Sequence, residues 1–147
     1  MNKLDSSLGS FTLERLPKTT KGDLRAWDAA DELLLNTIAE EHLESIFGTP
    51  KGKTAKTGGG VLSNNLSGVK GAKQGEVCLT PILIVNDSFG ALATALHQYP
   101  RHSWGDSYLA HLATLDNLKL NNLYDANYQA IPSDEDLKQS YDLVIIK

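Results

Sequence analysis

Two uninterrupted apolar tetrads, Ile82-Leu83-Ile84-Val85 and Leu143-Val144-Ile145-Ile146, constrain this chain more than any other feature. Neither alternates with polar residues, so each reads as a strand buried on both faces, as in a parallel sheet covered by helices. Parallel strands cannot be joined by a tight hairpin and need crossover segments, usually helical. The sequence around the tetrads supplies such segments. The expected class is therefore α/β, a Rossmann-like parallel sheet with crossover helices.

The remaining elements follow from periodicity and punctuation. Phe11 to Leu16 alternates with period two and is closed by Pro17, which predicts a short strand. Asp23 is placed to cap a helix with apolar residues at Leu24, Trp27, Leu34 and Ile38, running to about Phe47 and stopping at Gly48. Gly90 to Tyr99 suits a helix ended by Pro100, and a short strand is expected around Ser103 to Gly105. A second patterned helix starts near Ser107, with Leu109, Leu112, Leu115, Leu118 and Leu120 mostly on one side. Tyr128 to Ile131 is a weaker strand, and Ser133 with Asp134, Glu135 and Asp136 reads as a helix start. The last apolar strand ends one residue before the chain does. Doubly wound sheets normally continue past such a strand, so the sheet reads as truncated after its fourth strand.

Length and charge narrow the function classes. The 147 residues fit one domain, and 14 Lys and Arg against 18 Asp and Glu give a net charge of −4. An acidic chain does not bind nucleic acid through bulk charge. Residues 48–76 are the exception: they hold eight of the twelve glycines, five lysines and one glutamate, and read as a flexible basic insertion. The single cysteine, Cys78, excludes an internal disulfide and a Cys-rich zinc site, and reads as an inert thiol. The N-terminus has no apolar signal region and no apolar run spans a bilayer, so a cytoplasmic location and no membrane partner are expected.

Most motif candidates fail on spacing. Gly48 to Thr54 is one residue short of a phosphate loop and follows a helix instead of a strand. His42, His97, His102 and His111 make no i, i+4 pair, so no metal site is expected and all four read as structural. Asn65-Leu66-Ser67 matches a glycosylation sequon but lacks a secretory context. The informative stretch is Ile82 to Leu96: strand, tight turn, helix, the layout of a nucleotide-binding first crossover. Such a turn needs glycines for close backbone approach. Here Asn86 and Ser88 stand at the earlier glycine positions, only Gly90 remains, and the side chains would crowd a cofactor.

Three pieces of sequence resemble a known family: Leu13 to Leu35, Pro81 to Leu96 and Gly105 to Leu123, with Asp142 to Lys147 at the end. They resemble the N-terminal half of the bacterial ribosomal RNA guanine-N2 methyltransferases of the RlmG and RsmC type, and together cover somewhat over half the chain. The runs Ala26 to Glu32 and Asn86 to Leu92 are the most specific. The resemblance implies a tandem of two methyltransferase-like domains, of which the N-terminal one is a degenerate copy supporting folding and RNA placement. It implies that residues 1–147 are one pseudo-methyltransferase domain, with the catalytic domain absent. Aligning Ser107, Ala110, Asn117 and Asn121 with the methyltransferase pattern puts Gly105, not Asp106, in the ribose-binding place. Lys147 stands where the family's catalytic Asn-Pro-Pro-Phe motif would begin.

The expected function is thus that of the N-terminal domain of an S-adenosylmethionine-dependent 23S rRNA (guanine-N2)-methyltransferase. It would assist RNA binding and buttress the catalytic domain, which is its expected partner beside 23S rRNA. No catalytic residue is assigned. The vestigial cofactor loop is Asn86, Asp87, Ser88, Phe89 and Gly90 with Asp106, and S-adenosylmethionine is expected to serve the full-length enzyme without binding this chain. Lys18, Lys21 and Arg25 around the beginning of the first long helix are the candidate phosphate contacts. A Rossmann-like protein–protein module without RNA or nucleotide ligand is the alternative, and a weak nucleotide site at Asn86 to Gly90 with Asp106 a third.

Overall fold

The computed structural model describes residues 2–18, 24–41 and 80–147. Its core is a mixed α/β arrangement with a four-stranded parallel sheet, preceded by a separate hairpin. The hairpin pairs β1 (Lys3–Ser6) with β2 (Gly9–Thr12) antiparallel, setting Leu4 opposite Phe11. Sequence alternation placed one strand over Phe11 to Leu16. The strand instead starts at Gly9 and ends at Thr12, because the following main chain is held by side chains from elsewhere.

Those side chains are Asn117 and Asn121, one turn apart on a helix. Asn121 Oδ1 accepts from Thr12 N–H (2.9 Å) and its amide nitrogen donates to Thr12 C=O (2.7 Å). Asn117 makes the same two-way pairing with Glu14, at 2.8 and 2.9 Å. Two carboxamides spaced i, i+4 thereby stand in for a neighbouring strand, satisfying main-chain groups two residues apart.

Helix α1 spans Ala29–Glu41. Asp28 caps it, its Oδ1 accepting from the N–H groups of Ala30 and Asp31, while Asp31 Oδ2 accepts from Asp28 N–H. This reciprocal capping box begins the helix at Ala29. The expected cap at Asp23 and the expected end near Phe47 lie outside the described residues. Leu24 and Trp27, read as helical, precede the helix; Leu35 and Ile38 are its buried apolar residues.

Strands β3 (Ile82–Val85), β4 (Arg101–Gly105), β5 (Tyr128–Pro132) and β6 (Val144–Ile146) run parallel in the order β5-β4-β3-β6. The chain steps outward from β3 through β4 to β5, then returns to the other side of β3. This is the strand order of half a doubly wound sheet, and it is compatible with a Rossmann-like fold. Helix α2 (Ala91–Ala95) joins β3 to β4 and is wholly buried. The helix expected to reach Tyr99 ends at Ala95, and the chain tightens into three-residue turns, His97 N–H to Thr94 C=O and Tyr99 N–H to Leu96 C=O.

Helix α3 (Tyr108–Leu120) joins β4 to β5, and Ser107 caps it by accepting from Ala110 N–H. Its buried face follows the leucine stripe only in part, through Leu118 and the partly buried Leu115. Leu109 and Leu120 are exposed, while Ala113, Thr114, Asn117 and Leu118 face inward. Close approach to the loop before α2 is the reason: a Cβ on Gly90 would fall 2.7 Å from both the backbone and the side chain of Thr114. Only small residues fit such a contact.

Two further expectations are corrected. No helix follows Ser133; residues 133–143 form turns, including Glu135 N–H to Pro132 C=O. Leu137 is the one aliphatic side chain between Pro132 and Leu143 and is itself exposed, so a helix there would have no face to bury. Strand β6 is an edge strand among the described residues, with Ile145 buried but Val144 and Ile146 exposed by 47% and 71%. No helix among the described residues is long and apolar enough to cross a membrane.

The core also encloses a charge. Arg101 is fully buried and donates to the carbonyls of Ala93 (2.5 Å), Tyr99 (3.4 Å) and Leu123 (3.5 Å), with Asp125 at 3.8 Å. It ties the end of α2 to the loop after α3.

Gly90 takes φ +76° in addition to its contact with Thr114. Gly90→Ala is expected to destabilise the chain by about 2–4 kcal/mol, combining left-handed strain and overpacking. Thermal or denaturant unfolding of the variant reads this directly, and destabilisation below about 1 kcal/mol would show that α3 moves away freely.

Candidate functional site

In an open parallel sheet, ligands sit at the carboxyl ends of the strands where the strand order reverses. Here that point lies between β3 and β6, and the loop Asn86–Gly90 leaves β3 there. Asn86 takes a left-handed conformation (φ +62°), tolerable for asparagine, and its N–H is held by Trp104 C=O. Asp87 then turns inward and is 5% exposed. Its Oδ2 accepts from the N–H groups of Leu92 (3.1 Å) and Ala93 (3.0 Å). Those first-turn donors would face a ligand phosphate in a dinucleotide loop; here the chain's own carboxylate takes them.

Beside Asp87 lies a second buried carboxylate that sequence reasoning missed. Asp31 is fully buried, and Lys147 Nζ reaches its Oδ2 at 2.6 Å, with Asp28 Oδ2 at 3.7 Å. The Oδ1 atoms of Asp31 and Asp87 are both buried without a hydrogen-bond partner. Burial, above all, pushes the Asp87 carboxyl up to about 6, and the Asp31 charge adds to the rise; the Ala93 and Leu92 N–H groups and Lys147 oppose it. The spacing Asp28-x-x-Asp31 was the available signal for this cluster, since it is a capping-box spacing.

The loop separates two clefts. One, of about 420 Å³, lies on the β4 side and is lined by Asn86, Asp87, Ser88, Phe89, Trp104 and Asp106, among others. The structure thus brings together the residues of the expected vestigial loop, except Gly90, which packs against α3. Gly105 ends β4, and Asp106 lies one residue beyond it. The other cleft, of about 500 Å³, lies on the α1 side between Arg15, Arg25, Trp27, Ser88 and Lys147. Arg15 rests over the Phe89 ring at 4.7 Å and Arg25 over Trp27 at 5.8 Å.

The candidate phosphate contacts are dispersed. Arg25 lines the α1-side cleft and stands 3.7 Å from Glu32. Lys18 is away from that lining and pairs with Glu14 at 2.8 Å, a hydrogen bond that raises its pKa. Lys21 lies outside the described residues, as do residues 48–76, Cys78 and His42. The remaining histidines make local contacts: His97 against the Phe11 ring, His102 Nδ1 with Tyr141 Oη, and His111 Nε2 with Gly105 C=O. Among the described residues no three His, Cys, Asp or Glu side chains could hold a metal ion.

Asp87 carries a pH signature. The folded chain holds its proton more tightly than the unfolded chain, whose carboxyl titrates near 3.8, so its stabilising contribution is complete below 3.8 and is lost as pH rises through about 6. Asp87→Asn keeps an acceptor for both amides and removes the charge. The melting temperature of the variant relative to the unmodified chain is expected to rise as pH climbs from about 4.5 to about 7.5. A constant difference would mean that Asp87 is not the group responsible. His97 and His102, both lowered chiefly by burial, are common to both proteins and cancel in the comparison.

One family model, described as the RLMG N-terminal domain, matches residues 1–49 and 66–147 and passes over 50–65. The matched residues contain every described strand and helix, the Asn86–Gly90 loop and the Asp31–Lys147 pair. By that match, which spans most of its length, the chain belongs to the RLMG N-terminal domain family.

Proposed function

We propose that this chain is the N-terminal domain of an S-adenosylmethionine-dependent 23S rRNA (guanine-N2)-methyltransferase, that it helps hold the RNA and supports the catalytic domain, and that it does not itself transfer the methyl group. The observation that carries the reading is the state of the loop after β3 in a chain of this family. Asp87 occupies the amides of Leu92 and Ala93, so a ligand anion arriving there would meet a carboxylate instead of free N–H groups. The residues present therefore do not fit S-adenosylmethionine, whose own carboxylate would be repelled. A cofactor bound by the full enzyme belongs to the catalytic domain.

The end of β6 supports the same conclusion. Placing an exocyclic amine for methylation needs acceptors for its hydrogens. The Lys147 side chain, at the matching position, offers only donors and is committed to Asp31. In this reading the domain is a degenerate methyltransferase-type sheet whose switch point has been converted into a structural ion-pair cluster. Its contribution is to position RNA: Arg15 and Arg25 line the α1-side cleft, and Lys18 lies a few residues away in sequence.

Binding to deproteinised 23S rRNA tests this, measured across a salt series. Reversing Lys18, Lys21 and Arg25 to Glu is expected to weaken binding and flatten the salt slope, by up to about 0.9 for each phosphate no longer neutralised. Unchanged affinity and slope would refute the placement of RNA on these residues. The docking-module reading draws support from the exposed Val144 and Ile146 on β6; it predicts a persistent oligomer and no RNA affinity. An antibody against this chain should also detect a native protein more than twice the 16.0 kDa of these residues, if a catalytic domain accompanies it.

A further inference from the structure

We propose that the α1-side cleft holds one nucleotide of an unpaired stretch of RNA, with its phosphate on Arg15 and its base stacked on the Arg25 guanidinium. The proposal rests on the RNA-binding reading above and adds to it the kind of RNA and the part each arginine takes.

Two arginines meet at this cleft, and each guanidinium is backed by a ring. Arg15 Nη1 donates to Arg25 C=O at 3.3 Å, with Arg15 over Phe89 and Arg25 over Trp27. Both arginines and both aromatic residues line the same space of about 500 Å³. Trp27 is itself fixed: its Nε1 donates to Glu32 Oε1 at 2.9 Å, and the residue is only 7% exposed. The indole therefore supports a guanidinium and offers little surface of its own. Arg25 is different, because with the indole on one face its side chain is still 65% exposed. A guanidinium plane held in that way is a platform for a nucleobase, as an aromatic ring is.

Charge divides the roles. Three cations line the cleft, and two of them are engaged by carboxylates: Lys147 by Asp31 at 2.6 Å, and Arg25 by Glu32 at 3.7 Å. Asp28, the other carboxylate of the lining, is held by Lys147 and by the N–H groups of Ala30 and Asp31. Among the described residues Arg15 pairs with no carboxylate; a carbonyl and the Phe89 ring hold it. Its charge is left for a phosphate, whereas Glu32 offsets that of Arg25 and leaves its plane for stacking. A duplex cannot use such a site. Its bases are stacked on one another and show only their edges in the grooves, so no base face is free for Arg25. An unpaired nucleotide has a free face, and the volume of the cleft admits it.

A short oligoadenylate and an RNA duplex of equal length are the probes, beside deproteinised 23S rRNA. The single strand is expected to bind the chain about tenfold more tightly than the duplex. Arg25→Lys keeps the charge and loses the plane. It is expected to weaken binding of the oligoadenylate about three- to tenfold, with the salt slope unchanged. Arg15→Gln is expected to flatten that slope by about 0.7, the value for one single-strand phosphate. In a Trp104→Phe background, where Trp27 is the remaining tryptophan, the oligoadenylate is expected to change its fluorescence, and Arg25→Lys to reduce that change. If the duplex binds as tightly as the single strand, or Arg25→Lys binds as the unmodified chain does, while the charge-reversed protein is weakened, the base platform is overturned and the RNA reading stands. If neither the oligoadenylate nor 23S rRNA binds at any salt, both fall. Free adenosine monophosphate binding as tightly as the oligoadenylate would overturn the proposal in favour of a free-nucleotide site.

Discussion

The carboxamide of Asn117 is the interaction on which the arrangement depends. Its nitrogen donates to the carbonyls of Glu14 and Phe89, at 2.9 and 2.8 Å, and its oxygen accepts from Glu14 N–H at 2.8 Å. Three segments distant in sequence meet at one buried side chain: the chain after the hairpin, the loop after β3, and α3. Each bond alone is modest, but a buried amide with all its partners in place is stiff, because releasing any one leaves a polar group unpaired in the interior. Asn121 repeats the pairing one turn later at Thr12. These carboxamides are the polar attachment of the hairpin and the chain after it to α3.

A second constraint acts at the next residue of the same loop. Gly90 must have no side chain, because Thr114 lies against it, and this close approach sets the depth at which α3 packs. With Asn86 N–H held by Trp104 C=O, the loop between Asn86 and Gly90 is fixed at both ends, and the position of Asp87 follows. Its carboxylate points under the loop to Leu92 and Ala93, away from solvent. The adjoining Asp31–Lys147 pair ties β6 to α1. Burying two carboxylates with one ammonium is not an economical route to stability, since desolvation offsets most of the attraction. Its effect is positional: it fixes the end of β6 against the start of α1, at the point where open parallel sheets hold their ligands.

Much of this was legible in the sequence, and the failures have physical causes. The tetrad Ile82–Val85 identified the central strand because only a strand covered on both faces tolerates four apolar residues in a row. Ser107 identified the start of α3 because a hydroxyl before an apolar-patterned run is a local signal, independent of the rest of the fold. The leucine stripe on α3 held at Leu115 and Leu118 and misled at Leu109 and Leu120, because periodicity shows which residues are apolar, not which face meets a neighbour at close range; proximity to Gly90 added Ala113 and Thr114 to the buried face. The acidic run after Ser133 misled because a good cap does not make a helix that has nothing to bury. The second apolar tetrad misled in part, since Val144 and Ile146 lie on an exposed edge.

By itself, then, the sequence determined the class of sheet, its central strand, the turn after it and the family, since these rest on runs of neighbouring residues whose chemistry is local. The tertiary structure decided what that turn does. Asp31, Asp87 and Lys147 are separated by up to 116 residues, and no spacing rule joins them. Only packing brings them within reach, because a buried charge finds its partner by where the chain folds and not by where it lies along it.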